Sequence, residues 1–288
     1  MFTRLLLLAA ALASVTLAAP AADELTQTLK RIDETGTINF GYRVDQTPMS
    51  FDRGDNQPAG YSVELCNRIA DGVKQALGRD DIRVRYHAVT AETRFEAIRA
   101  GKIDMLCGAT TRTLSRAQII GFTQSTFVTG GALLSHKDAP IDHLEDLVGK
   151  RVAVVTNTTT IAALRGLLGE LGLDVEVVEV ASTKEGADML ERKQVDAFAA
   201  DEVVLIGQVI ARGGRDTYAI SEELFSFEPF ALALARGDAD FQLVADRVLS
   251  RLNREGGIVP IYKKWFGSFG RKPPDALLAL YQLNSIPE

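Results

Sequence analysis

Histidine is scarce in this chain, with three in 288 residues, His87, His136 and His143, scattered along the sequence. His136 and His143 straddle Asp138 and Asp142, yet their spacing matches no standard metal pattern, and a solvated loop is the reading taken. No His-Glu-x-x-His, Gly-x-Ser-x-Gly or Gly-x-x-x-x-Gly-Lys run occurs, so the motifs of zinc hydrolysis, serine nucleophiles and nucleotide loops are missing. The expectation is a non-enzyme without metal or cofactor. There is no long basic stripe, and the net charge is −6. Nucleic acid is therefore excluded as a partner, and an acidic body with arginines gathered in a few loops suits a small anionic ligand. Cysteine is limited to Cys66 and Cys107, neither near the N-terminus, which argues against a lipid-anchored form.

Long apolar runs are also few. Arg4 followed by the apolar stretch from Leu5 to Leu17 and the small residues Ala18-Ala19-Pro20-Ala21-Ala22 reads as a cleaved secretory leader, residues 1–22. The run is shorter than the ~20 residues a bilayer span needs, and no later run is long enough. The expectation is a soluble, exported protein, in a bacterium periplasmic, with a monomer expected. In an oxidising compartment an even cysteine count favours a Cys66–Cys107 disulfide. That pairing requires the helix carrying Cys66 to pack over the strand ending at Cys107; two separate buried thiols are the alternative.

Beyond the leader, strand-like and helix-like patterns alternate. Ile38 to Tyr42 reads as a strand, Arg43 to Gly60 as a long loop, and Ser62 as the cap of a helix with apolar Cys66, Ile69, Ala70, Val73 and Leu77. Ile82, Val84 and Tyr86 alternate as a strand, Glu92 to Ala100 is helical, and Ile103 to Leu106 is a third strand. A second run follows, with strands at Val152–Val155, Val175–Val180 and Val195–Ala199 and helices at Thr159–Leu171, after Ser182 and at Val203–Ala211. Two such β/α units indicate two sheets with helices on their faces. Extended segments near Ser125–Gly131 and Leu224–Phe230 link them, which predicts a two-segment hinge. The division expected is lobe 1 over residues 23–128 and 227–288 and lobe 2 over 129–226.

Ligands in such sheets bind outside the carboxyl ends of the strands. The loops there hold the chemistry. Cys107-Gly108-Ala109-Thr110-Thr111-Arg112-Thr113-Leu114-Ser115-Arg116 offers hydroxyls and guanidinium forks, a set suited to a carboxylate. Arg43, Arg94, Thr156 to Thr160 and Asp201 fall in the other loops of the same end. Each has a plainer reading: a solvent-facing Arg43, an Arg94 in an ordinary first helical turn, an Asp201 that only caps the next helix.

Gly60-Tyr61-Ser62, Arg94 to Gly101, Cys107 to Thr111 with Arg116, Gly121-Phe122-Thr123, Val154-Val155-Thr156, Asp196-Ala197-Phe198 with Asp201, and Lys264-Trp265-Phe266 together resemble a known family. It is the periplasmic solute-binding proteins of polar amino acid ABC importers (solute-binding family 3), closest to the glutamate/aspartate-binding subgroup. The resemblance spans about residues 36 to 267. It implies a two-lobed periplasmic-binding-protein-like α/β fold, an amino acid ligand and a membrane permease as partner. It also implies roles. Arg116, helped by Thr111 beside Thr110, takes the α-carboxylate; Asp201 takes the α-ammonium; Thr156 and Thr159 supply hydroxyls and N–H groups; Arg94 and Arg43 meet a side-chain carboxylate. Ala91 and Ala109 stand where close relatives carry serine, and Glu185 where a histidine is expected, although Glu185 also fits a helix capping box with Ser182. Two rival readings follow: a glutamine or asparagine binder, and an exported cyclohexadienyl dehydratase on the same fold, with Glu185 or Glu202 as the buried general acid.

Overall fold

The computed structural model describes residues 25, 27–212, 214–269 and 272–288; the leader expected at 1–22 lies outside them. The chain opens with α1 (Gln27–Thr35), β1 (Thr37–Tyr42), β2 (Asp45–Gln46), β3 (Ser50–Asp52), β4 (Pro58–Ala59) and α2 (Tyr61–Leu77). It continues through β5 (Arg83–Ala88), α3 (Arg94–Arg99), β6 (Met105–Cys107), α4 (Leu114–Ala117), β7 (Gly121–Thr129) and β8 (Gly131–His136). Then come β9 (Arg151–Val155), α5 (Thr159–Glu170), β10 (Glu176–Val180), α6 (Thr183–Glu191), β11 (Ala197–Asp201), α7 (Glu202–Ala211) and β12 (Tyr218–Ile220). The last elements are β13 (Glu228–Leu234), α8 (Ala239–Arg254), α9 (Ile258–Phe266) and α10 (Asp275–Leu283).

Two five-stranded sheets carry these elements, in the orders β5-β1-β6-β13-β7 and β10-β9-β11-β8-β12. In the first, β1 runs parallel to β5 and β6, and β13 runs antiparallel to β6 and β7. In the second, β9 runs parallel to β10 and β11, while β8 is antiparallel to β11 and β12. Each sheet is thus a parallel β/α unit closed by two antiparallel strands. β9 has the near-continuous apolar sequence of a strand covered on both faces: Ala153 and Val155 face a core with Leu134 and Phe198, whereas Val152 and Val154 face another with Leu133 and Leu164. β5, an edge strand, keeps the alternation read from sequence, Val84 and Tyr86 half-buried between exposed Arg83, Arg85 and His87.

The chain crosses between the sheets at Gly130 and at residues 221–227, and the crossing strands pair, Glu228 opposite Thr129. Backbones approach closely there. A Cβ on Gly130 would stand 2.3 Å from the Ser226 carbonyl oxygen, and one on Gly131 would stand 2.6 Å from the Phe225 ring. The glycine pair therefore permits the expected two-segment hinge.

Three expectations are corrected. Residues 43–60 are not a plain loop, because β2, β3 and β4 form a small antiparallel sheet. Ser62 does not cap α2; Gly60 holds that position and the buried Ser62 hydroxyl donates to the Gly108 carbonyl at 3.1 Å. Arg116 lies not in an open loop but in the short α4, capped by the Thr113 hydroxyl accepting from the Arg116 N–H.

Candidate functional site

Cys66 on α2 and Cys107 at the end of β6 are joined as a disulfide, the helix packing over the strand as that pairing requires. The bond pins the base of the loop that follows Cys107. That loop carries Thr110, Thr111 and, in α4, Arg116. Thr110 and Thr111 are buried, held by pairing with β13: the Thr110 carbonyl accepts from Ala231 N, and Arg112 N donates to the Pro229 carbonyl.

The other sites read from sequence sit where strands of the two sheets end. Arg43 follows β1, Arg94 opens α3 after β5, Thr156 and Thr159 follow β9, and Asp201 ends β11. Arg43 and Arg94 are both 4 % exposed, so neither is a solvent-facing arginine. Arg94 donates from Nη2 to the Asn157 carbonyl at 2.7 Å, across from the first sheet to the second. Its guanidinium lies 4.2 Å from the centre of the Phe95 ring, and that of Arg116 lies 5.2 Å from the same ring, so one aromatic ring meets two cations. Arg116 also donates from Nη1 to the Thr111 carbonyl at 2.9 Å.

Glu228, at the start of β13, ties this half of the site together. Its Oε2 accepts from the hydroxyls of Thr111 at 2.5 Å and Thr159 at 2.7 Å, and its Oε1 accepts from Ser226 at 2.7 Å. The Thr111 and Thr159 hydroxyl oxygens are 3.1 Å apart, so loops from both sheets meet over the hinge strand. The lobes are in contact, a closed arrangement.

Two buried polar atoms in this cluster have no hydrogen-bond partner among the described residues: Arg94 Nη1 and Asp201 Oδ1. Asp201 occupies the N-cap position of α7 yet makes no side-chain cap bond, so the plainer capping role is not realised. Burial, with Glu228 adding repulsion against the pull of Arg116 and Arg43, lifts its carboxyl to about 8. Burial, then Arg116 and Arg43, pushes the Arg94 guanidinium down to about 9. Burial also lowers Arg43 and Arg116; Asp45 and Asp201 oppose it at Arg43, and Glu228 and Asp201 at Arg116. A buried charge without a partner is strongly unfavourable. The cluster is therefore complementary to a group that accepts beside Arg94 and donates beside Asp201.

Two expectations change at this point. The Thr156 N–H is engaged by the Val180 carbonyl at 3.0 Å, leaving only its half-buried side chain for the cleft, and the cap of α5 is Thr158. Glu185 is exposed and outside the site: Ser182 Oγ accepts from Glu185 N, while the Glu185 carboxylate accepts from Ala181 N at 2.8 Å. That disposes of Glu185 as a buried acid. Glu202 lies in the first turn of α7, its N–H bonded to the Gly130 carbonyl.

Sequence reasoning missed Glu228, Asp45, Gln46 and Thr183. The last two line a small cavity with Arg43 and Asp201. A single acid in the apolar hinge run Phe225-Ser226-Phe227-Glu228-Pro229-Phe230 was the available signal for Glu228.

The family model of the bacterial extracellular solute-binding proteins, family 3, matches residues 38–268. The chain is 34% identical over 262 residues to the L-glutamate/L-aspartate-binding protein of Pseudomonas aeruginosa, covering 90% of this chain and 87% of that one. It is 28% identical over 261 residues to the glutamate/aspartate import solute-binding protein of Escherichia coli K12, covering 91% and 85%. Among solved structures, the solute receptor for L-cysteine of Neisseria gonorrhoeae superposes with a TM-score of 0.74 at 24% identity, covering 86% of this chain and 98% of that one.

Proposed function

The chain belongs to the bacterial extracellular solute-binding proteins of family 3, and on that premise we propose that it binds L-glutamate or L-aspartate between its lobes. The lobes of this reading are residues 23–128 with 227–288, and 129–226, a division that follows the two sheets. The observation that carries the reading is a pair of buried polar atoms without a hydrogen-bond partner among the described residues, the donor Arg94 Nη1 and the carboxyl oxygen Asp201 Oδ1. A zwitterion answers both, and an acidic side chain gives Arg94 its acceptor.

In this reading Asp201 takes the α-ammonium and is ionised by it. Arg116, fixed by the Thr111 carbonyl and the Phe95 face, takes the α-carboxylate with the Thr110–Thr111 segment. Arg94 and Arg43 meet the side-chain carboxylate, and Thr156 and Thr159 close the pocket from the second lobe. Glu228 orders the hydroxyls of Thr111 and Thr159 rather than meeting the ligand's acidic groups, which it would repel. Binding bridges walls from both sheets, so the closed form binds better than the open one, which is the condition for ligand-driven closure. The relatives named for glutamate and aspartate support this class of ligand. Export to the periplasm and delivery to the permease of an ABC importer complete the proposal.

The test is thermal unfolding of the mature protein against single amino acids. A ligand at 1,000 times its dissociation constant adds about 4 kcal/mol, or ~8–16 °C in a chain of this size. A shift of that order with glutamate or aspartate alone is the expected result. A shift with glutamine or asparagine alone would move the assignment to an amide ligand, and no shift with any amino acid would overturn it.

A further inference from the structure

Asp45 stands two residues beyond Arg43, on β2, and its contacts cross the cleft. Its Oδ2 accepts from the backbone N–H of Thr183 at 2.7 Å and of Lys184 at 3.3 Å, the first two residues of α6 in the other lobe. Those groups are two of the donors a helix start leaves unsatisfied. The next, Glu185 N, goes to Ser182 Oγ at 3.1 Å. Helix α6 is therefore capped partly by its own lobe and partly by the lobe opposite. The Asp45 carbonyl accepts from Gln208 Nε2 on α7 at 3.4 Å. Nearby, Gly207 lies so close to the Thr47 carbonyl that a Cβ there would stand 2.0 Å from its oxygen. The segment from Asp45 to Thr47 is thus seated on two helices of the second lobe.

The same carboxylate neighbours Arg43, which lines the small cavity with Asp201. Its Oδ1 lies 3.6 Å from Arg43 Nη2, while the side chain is 11% exposed. At that separation the two charges attract without a hydrogen bond. With Asp201 and Glu228, Asp45 makes three acids against Arg43, Arg94 and Arg116. With the Asp201 carboxyl protonated before ligand arrives, an Asp45 that counted fully against Arg43 would leave the cluster only one positive charge. The commitment of Asp45 to the positive end of α6 offsets part of its negative charge.

We propose that Asp45 is a positioning residue with two linked effects: it latches the closed cleft by capping α6 across the lobes, and it tempers the charge that Arg43 offers to the ligand's side-chain end. When the lobes part, α6 withdraws its N–H groups and Arg43 remains as the neighbouring partner of Asp45. When they close, the carboxylate is drawn to α6 and Arg43 regains positive potential. Selection between an acidic and an amide side chain is thereby coupled to closure. The charge part rests on the amino acid reading above; the latch does not.

The two effects separate with two variants. Asp45→Asn keeps an acceptor for the two N–H groups and removes the charge; Asp45→Ala removes both. With glutamate and glutamine as probes, Asp45→Ala should raise the dissociation rate about tenfold while leaving association within about twofold, the split expected when only the closed state loses contacts. Asp45→Asn should show a smaller rise. It should also increase the preference for glutamate over glutamine by about tenfold, through loss of a negative charge close to the side-chain end. Asp45→Ala with the parent's dissociation rate, or Asp45→Asn with the parent's preference, would overturn the proposal. If the parent binds neither probe, the glutamate reading fails on its own. Small-angle scattering of parent and Asp45→Ala without ligand then decides the latch: the variant must be the more expanded, and equal radii of gyration would overturn it.

Discussion

At the scale of the residue, the proposed site turns on Asp201. Its carboxyl is raised to about 8 by burial and by Glu228, whereas in an unfolded chain it ionises near 4. Such a group holds in the fold a proton that the unfolded chain has released. Its contribution therefore favours the fold at low pH and is lost progressively as pH rises from about 4 to about 8. An incoming ammonium reverses the balance by favouring the carboxylate. At pH 7 amino acid binding should therefore release close to one proton, read by calorimetry in buffers of different ionisation enthalpy. Asp201→Asn should abolish both the release and the binding, and should raise the melting temperature at pH 8 without ligand. Binding heats that do not vary with buffer would refute this account. Asp201, Arg116, Arg94 and Arg43 could be singled out in the sequence as charged residues in the loops at the ends of expected strands, while the roles proposed for them come from the family resemblance. Asp45 and Thr183 could not, because their meaning depends on which helix of the other lobe comes to rest against them.

At the scale of the element, strands and helices with clear periodicity emerged close to their expected bounds: β9 begins one residue before the expected Val152, and α5 ends one residue before the expected Leu171. The missed strands share a cause. Between Arg43 and Gly60 the strands are two or three residues long, too short for alternation to register, and their pairing rather than their sequence makes them a sheet. The hinge was legible through Gly130-Gly131, and the reason is now geometric. Gly130→Ala would drive a methyl to 2.3 Å from the Ser226 oxygen and 2.8 Å from the Leu224 Cβ. Backbone and a side-chain root give way poorly, so the substitution should destabilise by about 1–3 kcal/mol, as overpacking does. The urea midpoint measures it, with Gly149→Ala unsuitable as a control because Gly149 has φ 73° and Gly166→Ala suitable because nothing lies within 4 Å of its Cβ position. Equal midpoints for Gly130→Ala and Gly166→Ala would mean that the hinge strands can separate without strain.

At the scale of the whole molecule, the charged cluster is built from segments that belong to different lobes, and few covalent features hold them. The Cys66–Cys107 disulfide is one, closing a loop of sequence separation 41 within the first lobe. Chain-entropy arguments put the stabilisation from a loop of that length at about 4 kcal/mol, mainly through the unfolded state. The local geometry of the site loop has further supports. Ser62 holds the Gly108 carbonyl, Gln46 Oε1 accepts from Ala109 N at 3.2 Å, and Thr110 and Arg112 are bonded to β13. Stability and affinity should therefore respond unequally to loss of the bond. A Cys66→Ala, Cys107→Ala protein should lose up to about 4 kcal/mol in urea unfolding, while its affinity for the amino acid falls by less than about tenfold. A collapse of affinity at temperatures where the variant is still folded would show that the disulfide, and not the hydrogen bonds around Gly108, sets the position of Thr111 and Arg116.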